Sequence, residues 1–276
     1  MSRPVLDRPP SDHVLRELGL EVDQRDDGTL IGHLPVTDAV RAPSGEPLLG
    51  VVATMVDMMG GMASIRACTP DRVATADMSL HLLPTGGTDR LDGTMHIRRR
   101  GRRTLVVEVE LFGDRRQPAG LATLTFAVLP QPPGAPVLPA IDLGRRPAVE
   151  PSGVGGRPFH RALGLRSATP GVVEIDVVPA VQNSLGALNG GFLTSTIDAA
   201  VAGAATEIMG RPAETVDLQV AFLELGRVGP VRSVAELVGD RATAGHDRRA
   251  AFEITVLDGG ADDEVLTRAT AVAVAP

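Results

Sequence analysis

An internal repeat constrains this 276-residue chain more than any other feature of its sequence. Three segments recur in the same order, at offsets of 145, 141 and 140 residues, and the small drift is expected if insertions fall in loops. The pairs are Leu18-Gly19-Leu20 with Leu163-Gly164-Leu165, LLGVVATMVD ending at Asp57 with NGGFLTSTID ending at Asp198, and TADMSLHLLP starting at Thr75 with TVDLQVAFLE starting at Thr215. The sequence therefore predicts two copies of one structural unit.

The segment between the copies differs from both in composition. It is rich in Pro and Gly and has no regular hydrophobic period, which is typical of an extended connector. We therefore predict an N-terminal unit over 1–130, a linker over 131–157 and a C-terminal unit over 158–276.

Each copy predicts one long helix followed by strands. Nearly all-apolar segments run from about Gly50 to Ala67 and from about Gly191 to Met209, and a helix that is apolar all round should be buried. The segment TLVVEVEL alternates with a period of two, as does AAFEITVL, which indicates half-buried antiparallel strands. The prediction is an α+β fold in which an antiparallel sheet wraps around a central helix in each copy.

Composition excludes several classes of function. Aromatic residues make up 2% of the chain and its net charge is −7, so we expect no nucleic-acid partner. The single cysteine, Cys68, fits a reducing compartment. We expect neither a signal peptide nor a membrane span, and hence a cytoplasmic protein. The six histidines show no metal-ligand spacing, so no metal is expected.

Two carboxylates lie at matched positions inside the apolar helices. Asp57 and Asp198 would each be costly to bury as ions unless they are hydrogen-bonded or paired. One interpretation is structural, with each side chain fastening its helix to a strand. The other is that at least one of them acts on a ligand.

The second predicted helix opens with Asn189-Gly190-Gly191. Free backbone amides and the positive end of the helix meet at such a point, and glycine lets a ligand approach the backbone. The segment would suit a thioester carbonyl and the oxyanion that forms when it is attacked. The alternative is an ordinary Asn N-cap followed by flexible glycines.

At this point the residues resemble a known family. NSLGALNGGFLTSTID, from Asn183 to Asp198, resembles the signature of hot-dog acyl-CoA thioesterases of the phenylacetate-pathway type: Asn, a short loop, His-Gly-Gly, and Asp seven residues after the last Gly. Thr75 and Thr215 match a family hydroxyl at the start of the following strand. Two departures stand out. Asn189 replaces the family histidine, and copy one has Leu48-Leu49-Gly50 and Ala42 in the corresponding places.

The resemblance implies a double hot-dog with no cofactor, acting on a small-molecule acyl-CoA, and it leaves room for a homodimer of tandem chains. In the family each site is shared between two units. Here one site would combine the catalytic residues Asn183, Asn189, Gly190, Asp57 and Thr75. The reciprocal site would pair Ala42, Leu48 and Leu49 with Asp198 and Thr215, and we expect it to be degenerate. Residues expected to bind substrate are Gly191, Asp198, Thr215, Arg102 and Arg103.

The expected reaction is thioester hydrolysis. The Gly190 amide would polarise the carbonyl, Asp57 would act as general base on water or as nucleophile, and Thr75 would orient the water or the carboxylate. The run of arginines at 98–103, around Gly101, is typical of a solvated turn before a strand. It also suits the phosphates of coenzyme A.

Two other functions compete with hydrolysis. The first is a hot-dog hydratase or dehydratase, in which a histidine commonly follows the catalytic aspartate by five residues. Those positions are Met62 and Gly203 here, which counts against it. The second is a non-catalytic acyl-ligand binder, which the missing histidine and the altered first copy favour. Thiol release from a panel of acyl-CoAs would separate the hydrolase from the binder, and hydration of enoyl-CoA would test the hydratase.

Overall fold

The computed structural model describes residues 10–27, 29–131, 146–147 and 156–276. Most of the predicted linker over 131–157 lies outside the described residues, so its extended conformation stays a prediction. The helices are α1 (Leu49–Cys68), α2 (Phe159–Ala162), α3 (Gly190–Met209) and α4 (Arg241–Asp247), and short 3-10 helices occur at Val14–Glu17, Asp38–Val40, Asp114–Arg116 and Pro179–Val181.

Strands make up most of the remainder of both halves. They are β1 (Glu21–Gln24), β2 (Leu30–Pro35), β3 (Arg72–Leu82), β4 (Arg90–Arg100), β5 (Thr104–Phe112), β6 (Pro118–Leu129), β7 (Arg146–Pro147), β8 (Arg166–Thr169), β9 (Val172–Ile175), β10 (Glu214–Phe222), β11 (Val231–Val238), β12 (Arg249–Asp258) and β13 (Glu264–Val274). Within the described ranges they form one antiparallel sheet, in the order β7-β1-β2-β4-β5-β6-β3-β10-β13-β12-β11-β9-β8.

The predicted fold class is confirmed: antiparallel strands wrap around long central helices. The sheets of the two halves are continuous, because β3 of the first half pairs with β10 of the second. In that pairing Asp217 lies opposite His81 and Ala221 lies opposite Asp77. The join therefore places the strand that follows α1 beside the strand that follows α3.

Helices α1 and α3 form the centre of the core, as their uniformly apolar sequences predict. Val51, Val52 and Met55 of α1 are fully buried, and so are Phe192 and Ile197 of α3. By length and composition α1 would also pass for a membrane span. However, 67% of its most apolar window is buried inside the protein, so α1 is mostly a core helix here.

The two central helices cross closely at a pair of glycines. A Cβ atom at Gly191 would lie 2.4 Å from the Cα of Thr54, and one at Gly50 would lie 2.7 Å from the Cα of Ser195. The Ser195 hydroxyl donates to the main-chain carbonyls of both glycines, at 3.0 and 2.9 Å. Glycine at both places lets the N-terminus of each helix approach the other helix.

The strands that follow the helices are irregular at matching positions. In β3 the register shifts between Thr75 and Asp77, and in β10 it shifts between Thr215 and Asp217. A β-bulge of this kind bends a strand and changes the direction of the neighbouring side chains. The hydroxyls of Thr75 and Thr215 consequently reach the helix beneath them.

The arginine run at 98–103 forms a shorter turn than expected, and the matching connection in the second half contains a helix. Strand β4 continues through Arg98 to Arg100, so only residues 101–103 form the turn. The prediction of a turn over the whole run was too long, because β4 pairs with β5 out to Leu105 opposite Arg100. In the second half, helix α4 occupies the corresponding connection between β11 and β12, and the sequence analysis did not predict it.

Candidate active site

Asp57 of α1 contacts the beginning of α3. Its Oδ2 accepts a hydrogen bond from the Gly191 amide at 3.2 Å, and its Oδ1 accepts one from the Thr75 hydroxyl at 2.7 Å. A Cβ atom at Gly190 would lie 3.0 Å from Asp57 Oδ2, so the absence of a side chain lets the carboxylate reach the α3 backbone. A carboxylate from the first half thus meets a helix N-terminus from the second.

The surroundings of Asp57 favour its neutral form. The side chain is almost completely enclosed, with 8% of the residue exposed. Burial raises the pKa of Asp57, and the hydrogen bonds from Thr75 and Gly191 offset this only in part. A raised pKa makes the carboxylate a stronger proton acceptor once it is ionised.

The N-terminus of α3 is capped by Asn189. Its Oδ1 accepts hydrogen bonds from the amides of Gly191 and Phe192, at 3.0 and 3.3 Å. The ordinary N-cap interpretation therefore describes this side chain, and the Gly191 amide is already engaged. Among the described residues the Gly190 amide has no acceptor, so it is the helix-end donor left for a ligand.

Asn183 holds the loop before α3. Its Oδ1 accepts hydrogen bonds from the amides of Leu185 and Ala187, at 2.9 and 3.2 Å. The isolated bridge between Gln182 and Leu188 closes the same loop. Asn183 thereby fixes the approach of the chain to Asn189 and Gly190.

A cavity of about 570 Å³ joins these residues. Asp57, Thr75, Asn183, Asn189 and Gly190 all line it, so the five residues predicted to be catalytic lie around one space. The rest of its wall is mainly apolar, and includes Met58, Met62, Ile65, Phe126, Leu185 and Leu193. We call this space the Asp57 cavity.

Asp198 and Thr215, predicted to bind substrate, lie in a different place. Asp198 Oδ2 accepts a hydrogen bond from the Gly50 amide at 2.8 Å, which mirrors the contact between Asp57 and Gly191. Only 2% of Asp198 is exposed. Burial raises its pKa, and the neighbouring His160 offsets this in part. Both residues line a second cavity, of about 650 Å³, which we call the Asp198 cavity.

The two carboxylates are held differently. The Thr215 hydroxyl donates to the main-chain carbonyl of Asp198, at 3.4 Å, whereas Thr75 donates to the Asp57 carboxylate itself. Leu48 stands at the N-cap of α1 and makes no side-chain capping bond. Leu49, which is buried, replaces the first glycine of α3. Ala42, where the other half has Asn183, also lines the Asp198 cavity.

Two histidines near the cavities were not predicted as site residues. His13 lines the Asp57 cavity, and its ring accepts from the Leu15 amide and bonds the Gln182 carbonyl. His160 lines the Asp198 cavity, and its Nε2 is buried without a partner among the described residues. The repeat itself held a signal, because the Leu-Gly-Leu anchors align His160 with Leu15.

Arg102 and Arg103 lie in the turn between β4 and β5, beside β6, a strand that forms part of the wall of the Asp57 cavity. The Arg103 carbonyl accepts from the amide of Val128, whose neighbours Ala127 and Leu129 line that cavity. Both arginines are exposed. Within the described ranges neither is paired with a carboxylate, whereas Arg98 is paired with Glu108. The second half has α4 in the corresponding connection, in place of an exposed arginine turn.

Comparison of the sequence with protein families gives one match. A family model described as the thioesterase superfamily matches residues 49–118, about a quarter of the chain, which run from the start of α1 to the start of β6. No curated protein matches the chain in sequence.

Solved structures resemble nearly the whole chain. An acyl-ACP thioesterase from Bacteroides thetaiotaomicron is 12% identical with a TM-score of 0.60, and the alignment covers 89% of this chain and 97% of that one. The tesB protein of Mycobacterium avium subspecies paratuberculosis is 15% identical with a TM-score of 0.60, over 95% and 98% of the two chains.

A third structure carries the name of the fold. It is a protein with a hot dog fold from Alicyclobacillus acidocaldarius, 15% identical with a TM-score of 0.57, and the alignment covers 96% of this chain and 99% of that one. At such identities the likeness concerns the fold alone. The chain therefore has a hot-dog fold, and its residues 49–118 match the thioesterase superfamily.

Proposed function

We propose that the chain is a tandem double hot-dog that hydrolyses acyl-CoA thioesters in the Asp57 cavity. The observation that carries the proposal is the contact between the Asp57 carboxylate and the N-terminus of α3, at the wall of a mainly apolar cavity. The match of residues 49–118 to the thioesterase superfamily supports it, because that segment includes Asp57 and Thr75.

The acyl group occupies the apolar part of the cavity, and its thioester carbonyl lies at the start of α3. The Gly190 amide donates to the carbonyl oxygen, and the positive end of the helix favours the negative charge that develops there. One amide fixed at a helix end needs no reorganisation during the reaction. Asn189 and Asp57 both accept from the next amide, that of Gly191, and leave the Gly190 amide to the substrate.

Asp57 acts as general base. It takes a proton from a water molecule whose oxygen attacks the carbonyl carbon, which gives a tetrahedral intermediate with its oxyanion at Gly190. The C–S bond then breaks, the carboxylic acid forms, and the proton on Asp57 passes to the departing thiolate. The Thr75 hydroxyl holds Oδ1 and directs the remaining lone pairs of the carboxylate at the water.

The carrier of the acyl group is assigned from charge. Arg102 and Arg103 are exposed in the turn beside β6, a strand that forms part of the wall of the Asp57 cavity, and they have no carboxylate partner in the described part of the chain. A guanidinium group suits phosphate oxygens, so this turn is a site for the phosphates of coenzyme A. The acyl chain itself enters between apolar side chains, which favours an apolar acyl group.

The Asp198 cavity is expected not to hydrolyse thioesters. Leu49 replaces Gly190 at the helix start, and Thr215 makes a long hydrogen bond, 3.4 Å, to the Asp198 main-chain carbonyl. The Thr215 hydroxyl still lowers the pKa of the Asp198 carboxyl, so the difference between the two cavities lies mainly at the helix start. The two carboxylates give a matched pair for a direct test.

The test compares Asp57→Asn with Asp198→Asn, using thiol release from acyl-CoAs of graded chain length. Loss of a general base lowers rates by about 10²–10⁴-fold, so we expect Asp57→Asn to lose kcat to this extent and Asp198→Asn to stay within a few-fold of wild type. Thermal unfolding of both variants controls for damage to the fold, since both substitutions replace a buried carboxyl group at an equivalent contact.

Three outcomes would contradict the proposal. Equal losses in the two variants, with folding intact, would reject the difference between the cavities. Full activity of Asp57→Asn would remove the base from Asp57. Absence of thiol release by the wild-type chain across the panel, together with tight binding of the same acyl-CoAs, would make the protein a non-catalytic acyl-CoA binder.

A further inference from the structure

We propose that the Asp198 cavity is a second ligand site, which takes a neutral, apolar acyl group with an oxygen bonded to His160 Nε2. The inference concerns binding and does not depend on hydrolysis in the Asp57 cavity. It rests on the cavity itself, on the state of one imidazole, and on the charges around them.

The first observation is the size and lining of the space. Its volume is about 650 Å³, slightly larger than that of the Asp57 cavity, and within the range of sites for small molecules. Apolar side chains from both halves make up most of its wall, among them Leu82, Leu83, Ala199, Ala202 and Val274. Leu83 is half exposed at the edge, where an apolar ligand would cover it.

The second observation is the buried nitrogen of His160. Its Nε2 lacks a protein partner among the described residues, although buried polar atoms are nearly always hydrogen-bonded. His13, which faces the other cavity, has its ring engaged by Leu15 and Gln182. Because Leu15 stands where the second half has His160, the unpartnered imidazole is a feature of the Asp198 cavity only. In the Nε2–H tautomer it would donate to a carbonyl oxygen.

The third observation is the charge of the lining. Among the described residues four carboxylates line it, those of Asp38, Glu46, Asp198 and Glu214. The one arginine among the described residues of the wall is Arg41. Its guanidinium is occupied by the carbonyls of Gly45, Thr88 and Val36 and by the Asp89 carboxylate.

These charges decide the class of ligand. The carboxylates of Asp38, Glu46 and Glu214 disfavour a fatty-acid carboxylate or a phosphate in the cavity, since like charges repel at short range, and Asp198 is left out because burial raises its pKa. In addition, α4 stands in the connection where the first half presents its arginine turn. The ligand is therefore an acyl group without an anionic carrier, such as an ester, an amide or a ketone.

The test uses a medium-chain alkyl methyl ketone as the neutral probe and the fatty acid of equal length as the charged one. Ring nitrogens of ¹⁵N-labelled histidine report the place of binding, because His160 faces one cavity and His13 faces the other. We expect the ketone to shift the His160 signals saturably. The fatty acid should bind to the Asp198 cavity at least tenfold more weakly than the ketone. If the ketone shifts the His13 signals and not those of His160, it binds in the Asp57 cavity and the proposal is wrong.

Variants give the second measurement. Loss of one hydrogen bond predicts that His160→Leu weakens ketone binding by about threefold to tenfold, while His246→Leu, which removes an exposed histidine of α4, keeps wild-type affinity. Ala202→Leu fills the cavity from α3 and should abolish the His160 shift, which covers the case in which His160→Leu does not fold. A ketone that leaves the His160 signals unmoved, or binds His160→Leu with wild-type affinity, overturns the proposal.

Discussion

The carboxylate of Asp57 accepts the amide hydrogen of Gly191, a residue 134 positions further along the chain, over 3.2 Å. The contact joins the two halves at the crossing of α1 and α3, so neither half alone contains the arrangement. Thr75 donates to the second oxygen of the same carboxylate. The carboxylate of Asp57 is therefore held by β3 of the first half and by the N-terminus of α3 of the second.

The pH dependence of hydrolysis should report Asp57. A general base acts only when it is unprotonated, so kcat/KM should rise as pH increases through the pKa of Asp57 and then level off. Burial raises that pKa, which places the midpoint of the rise above the range of an ordinary aspartate. The hydrogen bond from Thr75 lowers the pKa in part, so Thr75→Val should move the midpoint to higher pH.

The matched control is Thr215→Val. The Thr215 hydroxyl donates to a main-chain carbonyl in the other cavity, so this variant should keep the wild-type pH profile of hydrolysis. Rate profiles of the three proteins, measured with one acyl-CoA, check the prediction. A profile that falls with increasing pH, or an equal displacement in both threonine variants, would argue against Asp57 as the base.

Much of the fold could be predicted because its signals are local. The apolar runs around Gly50 and Gly191 predict α1 and α3 to within a few residues, and the alternation of Leu105, Val107 and Val109 gives the buried face of β5. Hydrophobic periodicity depends only on residues that are close in sequence, so it can be recognised without knowledge of the tertiary fold.

What could not be predicted depends on contacts between distant segments. The register of β3 against β10, which merges the two sheets, involves residues about 140 positions apart and carries no composition signal. Helix α4 stands in the connection between β11 and β12, for which the sequence patterns predicted no helix. The acceptor of Thr215 also follows from side-chain geometry alone, since Thr75 at the matching position bonds a carboxylate.

The site falls between these cases. The repeat and the Asn183–Asp198 motif identified residues that lie around the Asp57 cavity, although the catalytic roles given to them stay predictions. His160 was visible in the sequence as a histidine aligned with Leu15. It was not singled out because a lone histidine in a short helix has no functional pattern, and its importance depends on the cavity that it faces.

The close crossing of α1 and α3 makes Gly50 and Gly191 sensitive to a single added methyl group. A Cβ atom there would come within 2.7 and 2.4 Å of backbone atoms of the opposite helix, which cannot move as a flexible side chain would. Overpacking of this kind costs about 1–3 kcal/mol, so Gly50→Ala and Gly191→Ala should each lower the free energy of unfolding by about that amount.

Gly61 gives the matched control in the same helix. A Cβ atom at Gly61 would meet nothing within 4 Å, and alanine is the better helix former, so Gly61→Ala should raise stability by about 0.5–1 kcal/mol. Urea unfolding of the three variants measures the two expected losses and the one expected gain in the free energy of unfolding. Wild-type stability in Gly191→Ala would mean that the helices are further apart than the structure has them.

The exposed arginine turn should contribute to binding of the carrier and not to the chemical step. Replacing Arg102 and Arg103 together with Ser should raise KM for acyl-CoA by about tenfold, the scale of two exposed charge pairs, with kcat nearly unchanged. The same variant should treat acyl-pantetheine, which lacks the adenosine phosphates, as the wild type does. An equal rise in KM for both substrates would place the phosphates elsewhere.

Isotope labelling separates the two roles that Asp57 could have in the chemistry. Both of its oxygens already accept a hydrogen bond, from Gly191 and from Thr75, which holds the carboxylate in place and suits a base better than a nucleophile. If water attacks directly, a single turnover in H₂¹⁸O with enzyme in excess should put the label into the product acid and none into Asp57.

A nucleophilic Asp57 would instead form an anhydride, whose hydrolysis at the aspartyl carbon leaves ¹⁸O in the side chain. Mass spectrometry of the peptide that contains Asp57, with the Asp198 peptide of the same sample as the internal control, distinguishes the two. Label in the Asp57 peptide alone would replace the general-base mechanism by a covalent one, with the same residue at its centre.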